Sequence, residues 1–306
     1  MNKMKGIVGL ALVLAMFLSL AACGQAPAQK AGETAAPAKL VLGTSADYAP
    51  FEFMYPDESG KMVYGGIDVM VAQYIADHLG MELQIENMDF GYLLTALNKG
   101  DFDIVLADIE PTEKRQKAAD FSESYLDELP EYILIRAEDA DKFQDAATDF
   151  NGVSVGAQTG STKVEKAEQN LIGCNVVSLP LVTDLVNELV NGKIDAILLD
   201  GSVAVSYDKQ YEQLTIAEEA SKVFPEPNGI AVAVAKGDPK GLLDGINEAI
   251  EQLKAEGKID EFKAAVDAIQ GIEEVSADAP EGYESDDVLL GEEEAEAAEE
   301  AAAETK

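Results

Sequence analysis

The sequence predicts an α/β protein of two lobes joined by two crossing strands. Three observations carry this. Strand-like apolar runs alternate with helical patterns through the body of the chain, two similar βα series follow one another, and the chain then returns to the first. The body, about 235 residues, is enough for two lobes of ordinary domain size and a substantial core.

Residues 40–44 read as the first strand, followed by a loop that carries Tyr48-Ala49-Pro50-Phe51-Glu52-Phe53. Ile67, Met70, Val71, Tyr74, Ile75 and Leu79 fall on one helical face, and Gly80 stands where a C-terminal cap belongs. Residues 83–85 and 104–107 read as further strands, with a helix over 92–98 between them. Residues 132–135 open the second series, with strands at 153–157, 176–179 and 196–199 and amphipathic segments at 164–171 and 185–190. Residues 229–235 form another apolar strand, and helical stretches at 242–255 and 259–269 close the fold. Lobe 1 is therefore expected at 38–131 plus 238–275, and lobe 2 at 132–237.

The two ends read differently. Lys3 and Lys5 precede an apolar run from Ile7 to Leu20 that ends in Ala21 and Ala22, the pattern of a secretory signal over 1–22. Leu20-Ala21-Ala22-Cys23 resembles the bacterial lipobox, which implies that Cys23 is lipidated and anchors the chain to the outer face of the cell membrane without spanning it. Residues 23–37, rich in Ala, Gln, Gly and Pro, suit a flexible tether. Residues 276–306 are dominated by Glu, Asp and Ala and read as a mobile acidic tail.

The formal net charge is −36, which argues against nucleic acid and against an electrostatic hold on anionic lipid. It is compatible with cationic solutes, although charge beyond a Debye length of ~8 Å matters little at physiological salt. The single histidine, His78, reads as an exposed helix position, and no Cys/His cluster suggests zinc or iron. No cofactor is expected. Cys174, without a partner once Cys23 is lipidated, reads as a small buried hydrophobe.

A set of short motifs occurs in order along the body. They are Gly43-Thr44 with Tyr48-Ala49-Pro50-Phe51-Glu52-Phe53, Gly66-Ile67-Asp68-Val69, Asp101-Phe102-Asp103, Thr112-Glu113-Lys114-Arg115 and Phe121-Ser122. Gly156-Ala157-Gln158-Thr159-Gly160-Ser161-Thr162, Gly192-Lys193-Ile194-Asp195-Ala196, Asp200 and Gly229-Ile230-Ala231 follow. Over residues 40–270 the chain resembles the polar amino acid (cluster 3) substrate-binding proteins of ABC transporters. The resemblance implies a type II periplasmic-binding-protein, or Venus-flytrap, fold. It also implies capture of a small amino-acid-like ligand by hinge closure and delivery to ABC permease subunits, with the binding protein acting as a monomer.

By the same resemblance Arg115 clamps a ligand carboxylate with its planar fork, and the amides of Gly160, Ser161 and Thr162 at a helix start complete the anion site. Asp200 pairs with the ligand ammonium, and Tyr48 and Phe90 form aromatic walls. Each has a plainer reading. Arg115 sits among Glu113 and Asp120 as for a surface ion pair, Gly160-Ser161-Thr162 and Asp200 suit helix caps, and the aromatics suit a core.

The chain departs from the family pattern at Asp108 and Glu110, where small or hydroxyl residues are usual. A carboxylate about 4 Å from a ligand carboxylate costs on the order of 4 kcal/mol at an effective dielectric near 20, roughly three decades of affinity. Glu110 turned away or paired with Arg115 relieves the conflict, as does a protonated carboxyl. A cationic ligand shared by Asp108, Glu110 and Asp200 relieves it too, and three acidic positions facing one arginine favour this last reading. With one histidine there is no Ser/His/Asp or Cys/His set, so binding without chemistry is the simpler account. The alternatives are a dehydratase-like enzyme on the same scaffold with Glu110 as general acid, and a ligand-sensing subunit.

Overall fold

The computed structural model describes residues 37–276, with 226 and 228 excepted. The expectations for a signal peptide, a lipidated Cys23 with its tether, and an acidic tail lie outside the described residues, at 1–36 and 277–306.

The first lobe is a five-stranded sheet. β1 (Lys39–Thr44) pairs in parallel with β5 (Glu82–Asn87) on one side and β6 (Ile104–Val105) on the other. β13 (Ile230–Ala235) lies antiparallel to β6 and to β7 (Ala119–Leu126), giving the order β5-β1-β6-β13-β7. Helix α1 (Ile67–Leu79) packs Val71 and Ile75 toward Leu40, Leu42 and Ile104. All five are fully excluded from solvent, each burial contributing about 1.5–3 kcal/mol. Gly80 ends α1 at φ 65°, its N–H reaching the Asp77 carbonyl at 3.1 Å, a conformation open to a residue without Cβ. Helix α2 (Leu93–Lys99) covers the other face through Leu93 and Leu97, which share a core with Phe102 beyond its end, and α8 (Leu243–Ala255) and α9 (Lys258–Ser276) pack beside α1.

The second lobe repeats the design. β9 (Ser154–Gln158) is flanked in parallel by β10 (Asn175–Leu179) and β11 (Ala196–Leu199), and β8 (Tyr132–Arg136) and β12 (Leu214–Ile216) complete the order β10-β9-β11-β8-β12. Helices α4 (Lys163–Asn170), α5 (Val182–Val190), α6 (Gly201–Gln210) and the short α7 (Glu218–Ser221) dress this sheet. Its inner residues Ile133, Ile135, Val155, Ala196 and Leu198 form a separate core with Phe150.

Two features differ from the sequence expectation. The segment read as a loop around Tyr48 is a small antiparallel meander of β2 (Asp47–Tyr48), β3 (Glu52–Pro56) and β4 (Met62–Gly65). The strand at 230–235, assigned by position to lobe 2, belongs to the sheet of lobe 1. An all-apolar strand carries no pattern to say which sheet it joins, and the pairing Ala233↔Val105 decides it. The chain thus crosses between lobes after β7 and again before β13.

This topology aims the two sheets at one cleft. In open α/β sheets ligands bind beyond the carboxyl ends of the parallel strands. Tyr48 follows β1, Phe90 follows β5, Asp108 and Glu110 follow β6, Gly160 to Thr162 follow β9 and Asp200 follows β11.

Candidate ligand-binding site

The lobes touch across the cleft through named contacts. Gly160, at φ 83°, packs its backbone on Gly91 so closely that a Cβ there would stand 2.7 Å from the Gly91 Cα. Asp47 of the meander caps α5 from the other lobe, accepting the Val182 N–H at 2.5 Å. Lys114 meets Glu165 at 3.1 Å on the exposed rim.

Inside, Asp108, Lys163 and Asp200 are each no more than 5% exposed. The Tyr48 hydroxyl donates to Asp200 Oδ2 at 2.7 Å, and the Lys163 ammonium contacts the same oxygen. Burial pushes the Asp200 carboxyl up, but the Lys163 charge and hydrogen bonds outweigh it and hold it below the ordinary range. Burial likewise disfavours the Lys163 ammonium, and the charges of Asp200, Asp108, Glu131 and Glu110 overcome that and raise its pKa. Lys166, one turn further along α4, contacts Glu131 and lies 3.7 Å from Glu110 Oε2.

Asp108 has a left-handed backbone (φ 46°), pinned by its N–H donating to Asp68 Oδ2 at 2.8 Å. Asp68 in turn accepts the Tyr125 hydroxyl at 2.7 Å. Asp108 lies against Asp200, yet neither of its buried carboxylate oxygens has a well-directed hydrogen bond among the described residues. Burial, then the charges of Asp200 and Glu128, push its pKa well above the ordinary carboxylate range.

Arg115 lies on helix α3 (Glu113–Gln116), which Thr112 caps by accepting the Arg115 N–H at 3.2 Å. Its guanidinium stacks 5.2 Å from the Phe90 ring centroid and donates to the Glu110 carbonyl at 3.1 Å. Among the described residues no carboxylate lies within 4.0 Å of it, and Asp120, the plainer partner, pairs instead with Lys236.

A cavity of about 10 Å³, lined by Tyr48, Phe90, Asp108, Arg115, Ser161, Lys163 and Asp200 among others, holds these charges. Beside it an open hollow of about 300 Å³ is lined by Phe90, Thr112, Arg115, Gly160, Ser161 and Thr162. The arrangement can accept a carboxylate on the Arg115 side and an ammonium on the Asp108 side.

Residues 40–265 match the bacterial extracellular solute-binding proteins, family 3. The chain belongs to this family. It is 31% identical over 249 residues to the arginine-binding extracellular protein ArtP of Bacillus subtilis, covering 80% of this chain and 91% of that one. A substrate-binding protein of an amino acid ABC transporter from Streptococcus pneumoniae, solved with L-arginine bound, is 33% identical with a TM-score of 0.70, over 76% of this chain and 94% of that chain. An ancestral amino acid-binding protein, a precursor of cyclohexadienyl dehydratase, is 31% identical with a TM-score of 0.65, over 74% and 94%.

Within this family 3 fold the structure gathers Tyr48, Phe90, Asp108, Arg115, Gly160, Ser161, Thr162 and Asp200 onto the two cavities. Three placements depart from expectation. Glu110 lines neither cavity; its carboxylate turns to Lys166 and to Thr162 Oγ1 (3.5 Å). The Ser161 amide is spent within its own turn on the Gln158 carbonyl (3.1 Å), leaving the Gly160 and Thr162 amides without an acceptor among the described residues. The picture of three acids facing one arginine is corrected by two residues that sequence reasoning missed, Lys163 and Lys166. A lysine in the first turn of a helix opposes the macrodipole, and that local misfit was the available signal.

Proposed function

We propose that this family 3 protein is the substrate-binding lipoprotein of an amino-acid ABC importer, that it captures a cationic amino acid by closing two lobes over it, and that its closed form docks on the permease. The observation that carries the reading is the pairing of Arg115, stacked on Phe90 without a carboxylate partner among the described residues, with the buried carboxyl groups of Asp108 and Asp200 on the wall of one cavity. A zwitterion leaving water needs both charges met, because an unpaired buried charge costs several kcal/mol. The Arg115 fork and the Thr162 amide at the start of α4 supply the anion half, and the buried carboxylates supply the cation half. Glu128, buried and acting on Asp108, adds acidity on the ammonium side that suits a second positive charge on the ligand. The arginine bound by the relatives named above supports the same class. The contacts of Asp47 with Val182 and of Lys114 with Glu165 act as closing ties.

A general-acid role for Glu110 loses support from its orientation toward Lys166 and Thr162, away from both cavities. The test is a thermal-shift and calorimetric screen of the protein against the proteinogenic amino acids, polyamines and quaternary amines. Arginine, lysine or ornithine should raise the melting temperature most. A response confined to neutral or acidic amino acids would refute the cationic preference, and no response to any of them would refute the amino-acid reading. Anchoring through Cys23 is tested by mass spectrometry of the membrane-associated protein and its release by Cys23→Ala.

A further inference from the structure

Resting on that reading, we propose that Asp108, and not Asp200, takes the ligand ammonium, while Lys163 serves as the resident counter-ion of Asp200. The argument is a matching of charges around one cavity. Asp200 Oδ2 already receives the Tyr48 hydroxyl and the Lys163 ammonium. The Lys163 side chain is 6% exposed, so an incoming ammonium that displaced it would strip a buried cation of its one direct ion pair and of its nearest stabilising charge. The Asp200–Lys163 pair is therefore closed to exchange, and it comes from one lobe, Asp200 ahead of α6 and Lys163 opening α4.

Two groups on the cavity wall remain without an ion pair. Arg115 has no carboxylate within 4.0 Å among the described residues, and Asp108, buried against Asp200, has no cation within 4.0 Å there and neither oxygen in a well-directed hydrogen bond. An α-amino acid supplies the complement of both, its carboxylate to Arg115 and its ammonium to Asp108. The backbone of Asp108 supports a dedicated role. A left-handed non-glycine residue is strained, and here the strain is held in place by the buried Asp68 carboxylate on its N–H. Such an outlier, pinned from behind and carrying in front a carboxyl group with no cation beside it, is a built acceptor.

The experiment compares L-arginine with its deaminated analogue, 5-guanidinopentanoate, by calorimetry on the wild type, Asp108→Asn and Lys163→Met. Asparagine tolerates the left-handed backbone and keeps the shape of aspartate, so the variant retains the fold, which a melting curve checks. Wild type should bind arginine about 10- to 100-fold more tightly than the analogue, the worth of one charge-assisted hydrogen bond. Asp108→Asn should erase that difference by weakening arginine alone, and Lys163→Met should not tighten arginine. If Asp108→Asn keeps the preference for the amine, or Lys163→Met tightens arginine by freeing Asp200, the assignment is overturned while the amino-acid reading stands. Wild type indifferent to both probes and to every other α-amino acid overturns the two together.

Discussion

Replacing Gly160 by alanine separates closure of the cleft from stability of the lobes. A Cβ at Gly160 would lie 2.7 Å from the Gly91 Cα across the cleft, against an ordinary carbon–carbon contact of about 3.5–4.0 Å. Two costs follow, and they act on different equilibria. The left-handed backbone at φ 83° penalises an L side chain by about 1–2 kcal/mol whether the lobes are together or apart. Under the proposed hinge closure the overlap arises only when the lobes meet, and overpacking of this kind costs about 1–3 kcal/mol, which converts to roughly 5- to 150-fold weaker ligand binding. Gly91→Ala is the milder comparison, because its Cβ would meet the Thr159 carbonyl oxygen at 3.3 Å and the Gly160 Cα at 3.9 Å across the same contact, at an ordinary backbone conformation. Isothermal calorimetry with L-arginine, together with melting of the ligand-free protein, reads the two costs separately. Affinity of Gly160→Ala within about twofold of wild type would refute the argument that this backbone contact belongs to the bound, closed form.

Other expectations follow from the buried charges. Asp108 titrates among Asp200, Glu128, Lys163, Arg115 and Tyr48, with Asp68 behind its backbone, and its pKa is raised in the ligand-free cleft. If it must ionise to hold an ammonium, binding releases a proton, so affinity for arginine rises with pH up to that raised value and flattens above it; calorimetry in buffers of different ionisation enthalpy measures the proton. Asp68 is pushed from 3.8 to about 6, chiefly by burial. Between those values the folded state binds a proton that the unfolded state has lost, so this group's contribution falls as pH rises through the window. The stability gap between wild type and Asp68→Asn should therefore shrink by about 2 kcal/mol from pH 4 to pH 7 in urea titrations, and a constant gap would refute it. Lys166→Met leaves the fully buried Glu131 carboxylate without its cation, at a cost of about 3–5 kcal/mol. Glu131→Gln, which leaves a quarter-exposed lysine able to reach water, should cost about 1–2 kcal/mol, and equal melting temperatures for the two would contradict this ordering.

The alternation of strands and helices, the cap at Gly80 and most helix positions were legible because periodicity and capping are local. The meander at 47–65 was not, since its strands are short and interrupted by Pro50, Pro56 and Gly60. The strand at 230–235 was seen, but its sheet was not, because an unbroken apolar run fits the centre of either lobe. Within the site, Tyr48, Phe90, Arg115 and Asp200 were found through the order of family motifs. Lys163, Lys166, Asp47 and Glu131 were not, because each acts through a partner on a distant segment.

The sequence by itself determined that the body is a two-lobed α/β fold of family 3 and, through its ordered motifs, which residue types stand at the site. Tertiary structure alone decided which charge meets which. Tyr48 and Asp200 are 152 positions apart, and Lys166 and Glu131 are 35 apart. Coulomb energy depends on distance and burial, and neither is written in residue order.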